Sequence, residues 1–289
     1  MVHRSRGSDK LLDIIVYSWL AASVLFVLFP LFYVVSVSLA PEKEFLTRGF
    51  FIIPHDFTLD AYLYLLTNER FLNVFTNSVI ITSVGTVISI VTTALMAYGL
   101  AKPWLKGRSI INFMVFFTML FSGGMIPTYL VVKELHLLDT YWALWLPSAI
   151  ASFNVIVMRG FFGAIPAELE ESARMDGCGE WRLFYLIIIP LSMPVVATFT
   201  LFYMVSYWNT YFSAILYLND SKMMPLQVFL RQMLMEDDPN MSQTITVAYN
   251  YTPGAEMAAI LLTALPLLIV YPFLQKYFNK GVMLGSLKG

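Results

Sequence analysis

Six apolar stretches alternate with polar segments along the chain, at about Leu11 to Ala40, Asn73 to Ala101, Ile110 to Val132, Tyr141 to Ala164, Leu183 to Leu218 and Ala255 to Tyr277. Each meets or exceeds the roughly 20 residues that a helix needs to cross a hydrocarbon core. Several are longer than that, which calls for tilt or extension beyond the lipid. The pattern predicts an all-α, polytopic membrane protein with six transmembrane helices. The first stretch is too long for a signal peptide and is followed by no small-residue cleavage site, so it is expected to remain as an anchor. The expected organisation is an N-terminal anchor helix with a first outer loop over 1–72, a transmembrane core over 73–280 that carries a polar loop at 165–182, and a tail over 281–289.

Composition narrows the class further. With 58% hydrophobic residues, 13% charged residues and a mean hydropathy of +0.69, 289 residues cannot be hidden in one soluble core. The formal net charge of −1 gives no sign of a nucleic-acid partner. Basic residues set the orientation. The loops joining one side hold Arg4, Arg6, Lys10, Lys102, Lys106, Arg108, Arg159, Arg174, Arg182, Lys276, Lys280 and Lys288, while the other side holds Lys43, Arg48, Arg70, Lys133, Lys222 and Arg231. The richer side is the cytoplasmic one, so both termini and the loop around Glu168 are expected there.

What the spans lack is equally informative. No Asp, Glu, Lys, Arg or His lies in the middle of any of them, with Arg159 and Glu256 near the ends. Ion-coupled carriers keep such groups at mid-membrane because a charge there is expensive and is retained for function, which weighs against a carrier. No G-x-x-x-x-G-K-[ST] phosphate loop occurs in the chain, so an energy source must sit on another polypeptide. His3, His55 and His136 are not at metal-ligand spacing, and Cys178 has no second cysteine to pair with. No nucleophile, base and orienting group share a segment, so neither an enzyme nor a metal site is expected.

The segment from Glu168 to Pro194 concentrates charge between two apolar runs. A helix over Ala167 to Asp176 is some three turns long, too short to stand alone in water, and calls for a docking surface. Gly177 can take the left-handed conformation that ends a helix. Glu168, Glu170 and Glu171 lie near the helix start, where the macrodipole favours negative charge. An acidic first turn is also what an ordinary solvated helix shows, and the complete spacing decides between the two.

That spacing is Glu171-Ser172-Ala173, three residues, Gly177, nine residues, then Ile187-Ile188-Ile189-Pro190. It resembles the EAA loop of ABC-importer permeases, E-A-A, three residues, G, nine residues, I-x-L-P, with Ser172 in place of the first Ala and Ile189 in place of Leu. Asn77-Ser78, Ala97-Tyr98-Gly99-Leu100-Ala101, and Trp181 with Phe184 are similar to the maltose-type sugar permeases, a likeness running from about Asn73 to the C terminus. Phe121-Ser122-Gly123-Gly124-Met125-Ile126-Pro127-Thr128-Tyr129 is similar to a branch associated with oligosaccharides and polysaccharide fragments, including acidic ones such as alginate or aldouronate pieces.

The resemblance implies a type I ABC-importer permease fold and the second, six-span permease subunit of an oligosaccharide importer. It implies a heterodimer with a second homologous permease, an ATPase homodimer at the cytoplasmic face, an extracytoplasmic sugar-binding protein, and residence in the bacterial cytoplasmic membrane. No cofactor is expected in this chain, ATP and Mg belonging to the partner ATPase. The coupling loop would engage that ATPase through Glu168, Glu171, Ser172, Ala173, Asp176 and Gly177, with Glu171 pairing with a basic residue in its cleft, Ala173 packing into it and Gly177 shaping the loop end. A cargo of peptides, amino acids or phosphate, or an ion-coupled carrier, are the alternatives.

Two further sets of residues are candidates. The outer loop from Asn219 to Gly254 carries Asp237, Asp238, Asn240, Tyr249 and Tyr251; by the resemblance it docks the binding protein, and as a loop it can equally be a solvated connector. In the fifth span Tyr203, Tyr207 and Tyr211 recur every four residues, with Asn209 and Ser213 nearby, which would place aromatic faces and hydrogen-bonding groups along one side of a helix. Such a row suits a sugar pathway, and polar side chains also join membrane helices to one another. Prolines 127, 147, 190, 194 and 266 fall in or beside spans, as hinges or as packing kinks. The tail from Gly281 resembles the family's second permease, whose end inserts between the ATPases; an unanchored terminus simply frays.

Overall fold

A computed structural model describes residues 7–235 and 252–286, and no strand occurs among them. Helix is the solution that apolar segments must find in lipid, because each backbone N–H and C=O then pairs within its own segment. In chain order the helices are α1 (Gly7–Ser38), α2 (Glu42–Arg48), α3 (Asp60–Thr67), α4 (Glu69–Ala101), α5 (Arg108–Leu120), α6 (Met125–Glu134), α7 (Trp142–Trp145), α8 (Ser152–Gly163), α9 (Ala167–Met175) and α10 (Glu180–Leu183). A π-helical turn, Phe184–Ile188, then leads into α11 (Ile189–Leu191), α12 (Met193–Trp208), α13 (Phe212–Tyr217), α14 (Leu226–Met235) and α15 (Pro253–Ser286). The chain divides into two compact units, Met1–Glu69 with Leu230–Ala264 and Arg70–Phe229 with Leu265–Gly289.

Three of the six expected spans are single helices: α1, α4 and α15 contain the uninterrupted apolar runs Leu12–Ser38, Glu69–Ala101 and Pro253–Phe273. The other three are broken. The expected Ile110 to Val132 span divides into α5 and α6 at Phe121–Gly124, where Gly124 takes φ of 86°, a conformation open to glycine at little cost. Tyr141 to Ala164 divides into α7 and α8 around Pro147, and Leu183 to Leu218 bends by 84° at Ser192. Pro190 and Pro194 flank that bend. Each lacks an N–H, which removes a rung from the ladder where the chain turns.

In the unit that holds Arg70–Phe229, α4 buries Ser78, Thr82, Ser89 and Thr93 along one face. The break between α7 and α8 is sealed against this region. The Ala151 N–H donates to the Tyr203 hydroxyl at 3.1 Å and the Trp145 indole N–H donates to the Ile81 carbonyl at 3.0 Å. Backbone groups freed by a helix break are tolerated at membrane depth when protein groups satisfy them in this way. In the other unit, Val37, Ala40 and Phe51 form a small cluster, and Glu44 accepts both the His55 N–H at 3.0 Å and the Arg48 guanidinium at 2.6 Å, fixing the loop after α2.

Asp139 ties two loops together. Its carboxylate accepts the side-chain amide of Asn219 and the backbone N–H groups of Asn219 and Asp220, while its own N–H donates to the Tyr217 carbonyl at 2.9 Å. The side-chain and backbone N–H groups of Asn219 hold its pKa below the ordinary aspartate value of 3.8. Because the folded pKa is lowered, the stabilisation is fully present above the unfolded value and is lost as pH falls through the folded one. Asp139→Asn should therefore flatten the acid limb of thermal stability below pH 4 or so, the range of an ordinary aspartate, and leave its slope near neutrality unchanged. An unchanged acid limb in melting curves of the detergent-solubilised variant would remove this clamp from the account.

Candidate functional site

The loop between α8 and α10 folds as its sequence dictates. Pro166 opens α9 in an extended conformation with φ of −56°, and Glu168 and Glu170 occupy the first turn, where the macrodipole favours them. At the other end Gly177 adopts φ of 79°. The Gly177 N–H reaches the Arg174 carbonyl at 3.0 Å and the Cys178 N–H reaches the Ala173 carbonyl at 2.9 Å. This crossed pair is the Schellman arrangement, which satisfies carbonyls that a helix end otherwise leaves open.

Successive residues of α9 turn by about 100°, which separates two faces. Glu168, Glu171, Ser172, Met175 and Asp176 are exposed, with Met175 at 84%. Glu170, Ala173 and Arg174 lie on the opposite side. Ala173 is buried in the chain's own core, so its methyl group is not presented for the packing into a partner's cleft that the EAA resemblance implied. The register accounts for this, because residue 173 stands about 200° round the helix from Glu171.

The inner side of α9 is fastened by charge. Lys102, one residue beyond α4, is 4% exposed. Its Nζ lies 2.5 Å from Glu170 Oε2 and 4.2 Å from the centre of the Tyr98 ring. The Tyr98 hydroxyl donates to Glu180 Oε2 at 2.8 Å, and Arg174 Nη2 meets Glu180 Oε1 at 2.6 Å. Tyr98, Lys102 and Glu180 border a cavity of about 360 Å³ whose walls include Leu95, Trp104, Trp181 and Phe184. In the sequence Lys102 stands out only as a cytoplasmic charge, and nothing there marks Glu180. The available signal was the four-residue step from Tyr98 to Lys102 at the end of a span, which places the two on one face.

The tyrosine row is placed differently from its expected periodicity. Tyr203 and Tyr207 are buried on α12, with the Tyr203 hydroxyl 2.7 Å from Thr93 Oγ1 and the Tyr207 hydroxyl 2.9 Å from Ser89 Oγ. Both hydroxyls are committed to joining α12 to α4. Tyr211 does not continue their face, because α12 ends at Trp208 and Tyr211 precedes α13 with φ of −123°. Asn209 is exposed; its amide donates to the Val205 carbonyl at 2.8 Å and accepts from Gln227 at 3.4 Å. Ser213 is half-buried in the first turn of α13. Asp237, Asp238, Asn240, Tyr249 and Tyr251 lie outside the described residues, as do the last three residues of the tail.

The described residues are helical, with a Schellman-closed polar helix between broken apolar segments, and comparison with known proteins gives the class of protein to which this arrangement belongs. The chain belongs to the family described as binding-protein-dependent transport system inner membrane component, which it matches over residues 89–284, a range that contains α9. It is 46% identical to the polygalacturonan/rhamnogalacturonan transport system permease protein YtcP of Bacillus subtilis (strain 168), over 97% of this chain and 99% of that one. It is 51% identical to protein LplC of the same organism, over 90% and 89%. Among solved structures it is similar, with a TM-score of 0.86 and 33% identity over 95% of this chain and 99% of the other, to a chain of a bacterial ABC transporter involved in the import of the acidic polysaccharide alginate. The fold is therefore that of a type I ABC-importer permease, and the protein is a multi-pass membrane transport subunit.

Proposed function

We propose that this chain is one of two homologous permease subunits of an ATP-driven importer for oligosaccharides cut from acidic, uronate-containing polysaccharides. The observation that carries the importer reading is α9, a short helix with an exposed acidic face and a glycine-closed end inside the matched family region. The acidic cargo is supported by the two relatives named for galacturonate-rich and alginate polymers. An ATPase pair docks on the exposed face of α9 through Glu168, Glu171, Ser172, Met175 and Asp176, and binds the ATP and Mg that this chain does not. Both termini lie in the cytoplasm of a bacterial cell, and the chain crosses its inner membrane six times, the broken segments counting as three of the crossings.

An extracytoplasmic binding protein delivers the sugar to the outer face, with Asp237, Asp238, Asn240, Tyr249 and Tyr251 in the loop that meets it. No Arg or Lys lies at mid-span in this chain, so selection for the carboxylates of the cargo rests with the binding protein and the second permease, where charge-assisted pairs can form. Tyr203 and Tyr207 hold the helices together, and the contribution of this chain to the pathway comes from the neighbourhood of Asn209, Tyr211 and Ser213. The test is competition for uptake in cells that depend on this transporter. Oligogalacturonides or oligoalginates should compete with labelled acidic oligosaccharide, and maltodextrins or peptides should not. Competition by neutral sugars or peptides alone would overturn the cargo.

A further inference from the structure

The inner face of α9 carries a second feature, separate from the face offered to an ATPase. Two side-chain links run from it to one end of one helix. Glu170, in the first turn of α9, holds the buried Lys102 ammonium, and Arg174, one turn later, holds Glu180, which in turn accepts the Tyr98 hydroxyl. Tyr98 and Lys102 are four residues apart, and the ammonium sits over the tyrosine ring. Both links therefore end at the C-terminal end of α4, on Tyr98 in its last turn and on Lys102 one residue beyond it.

We propose that Lys102 and Tyr98 are positioning residues that fasten α9 to the inner end of α4, so that displacement of α9 by the ATPase is passed to α4 and on to α12. The inference rests on the reading that α9 meets an ATPase. A buried ammonium must keep a partner, because a charge withdrawn from water and left unpaired is strongly unfavourable. Pulling α9 away from α4 would strand Lys102, so the two move together. Coupling between distant sites is carried by packed and hydrogen-bonded elements of this kind. From α4 the connection continues through Thr93 to Tyr203 and through Ser89 to Tyr207, two buried hydrogen bonds on α12. The bend at Ser192 lies at the start of that helix.

The experiment compares variants in vesicles that hold the complete transporter, with its binding protein and oligogalacturonides as the probe, reading ATP hydrolysis and sugar carried in parallel. Lys102→Met should keep hydrolysis while the sugar carried per ATP falls at least about five-fold, the low end of usual coupling factors. Tyr98→Phe, which keeps the ring and loses only the hydroxyl, should show a smaller fall in the same ratio. The exchange Lys102→Glu with Glu170→Lys should restore much of the ratio lost in Lys102→Met.

An unchanged ratio in Lys102→Met overturns the proposal. So does loss of assembly in both Lys102→Met and the charge exchange, because the pair would then serve only to hold the fold. Wild-type vesicles serve as the reference: absence of ATP-driven uptake there overturns the importer reading itself, whereas wild-type uptake beside an unaffected Lys102→Met overturns only the fastening.

Discussion

Glu171→Arg is expected to reduce ATP-driven transport to background while the chain still inserts and folds. Glu171 is exposed on the outward face of α9, and surface substitutions away from packed features usually change stability by less than about 0.5 kcal/mol. On the proposed function its effect is at the interface with the ATPase. Truncating one partner of a desolvated charge pair costs on the order of 2–5 kcal/mol of binding, so Glu171→Ala should weaken docking by roughly 30-fold or more at about 1.4 kcal/mol per tenfold. The arginine adds repulsion against the basic group that the EAA resemblance places opposite. Co-purification of the ATPase, measured beside the melting curve of the variant, separates the two effects. Wild-type recovery of the ATPase with the arginine variant would exclude Glu171 from the interface.

Gly85→Ala should have the opposite profile, damaging the fold without touching α9. A Cβ at Gly85 would stand 2.9 Å from the Trp145 ring and 2.9 Å from two carbons of the Tyr207 ring. Neither ring can retreat freely. Trp145 is pinned by its indole N–H on Ile81, and Tyr207 by its hydroxyl on Ser89 and on the Trp145 carbonyl at 3.3 Å. Overpacking a core of this kind costs about 1–3 kcal/mol, and displaced hydrogen bonds add to that.

The gain in helix propensity from Gly to Ala, about 1 kcal/mol, does not offset both. Gly160→Ala is the control, because nothing lies within 4 Å of a Cβ there and only the propensity term remains. Melting of the detergent-solubilised chain should fall for Gly85→Ala and stay level or rise for Gly160→Ala. Equal melting of the two would show that α4, α7 and α12 do not pack through Gly85.

Features whose causes are local were legible in the sequence. The bounds of α9, the acidic first turn and the left-handed Gly177 all follow from interactions within about six residues, and each appears where the spacing placed it. The spans that became α1, α4 and α15 were legible because uninterrupted apolarity is sufficient for a helix in lipid. The breaks in the other three depended on distant partners. Pro147 and the glycines at 123 and 124 mark where a helix can fail, but the freed N–H of Ala151 is satisfied by Tyr203, 52 residues away.

Long separations also hid the fastening of α9. Lys102 and Glu170 are 68 residues apart, and a lysine at the end of a span reads first as an orientation signal. The tyrosine row was misplaced for a different reason. Four-residue spacing puts residues on one face only while the helix continues, and α12 stops at Trp208, before Tyr211.

Uptake into vesicles decides whether this chain moves sugar only as part of an ATP-driven assembly. Vesicles would contain this chain with its second permease, with or without the ATPase subunits, and with loaded binding protein on the side facing the outer loops. The account predicts uptake of acidic oligosaccharide only when the ATPase and ATP are both present, and its loss in Glu171→Arg. Uptake by this chain without ATP, unaffected by the change at Glu171, would contradict it.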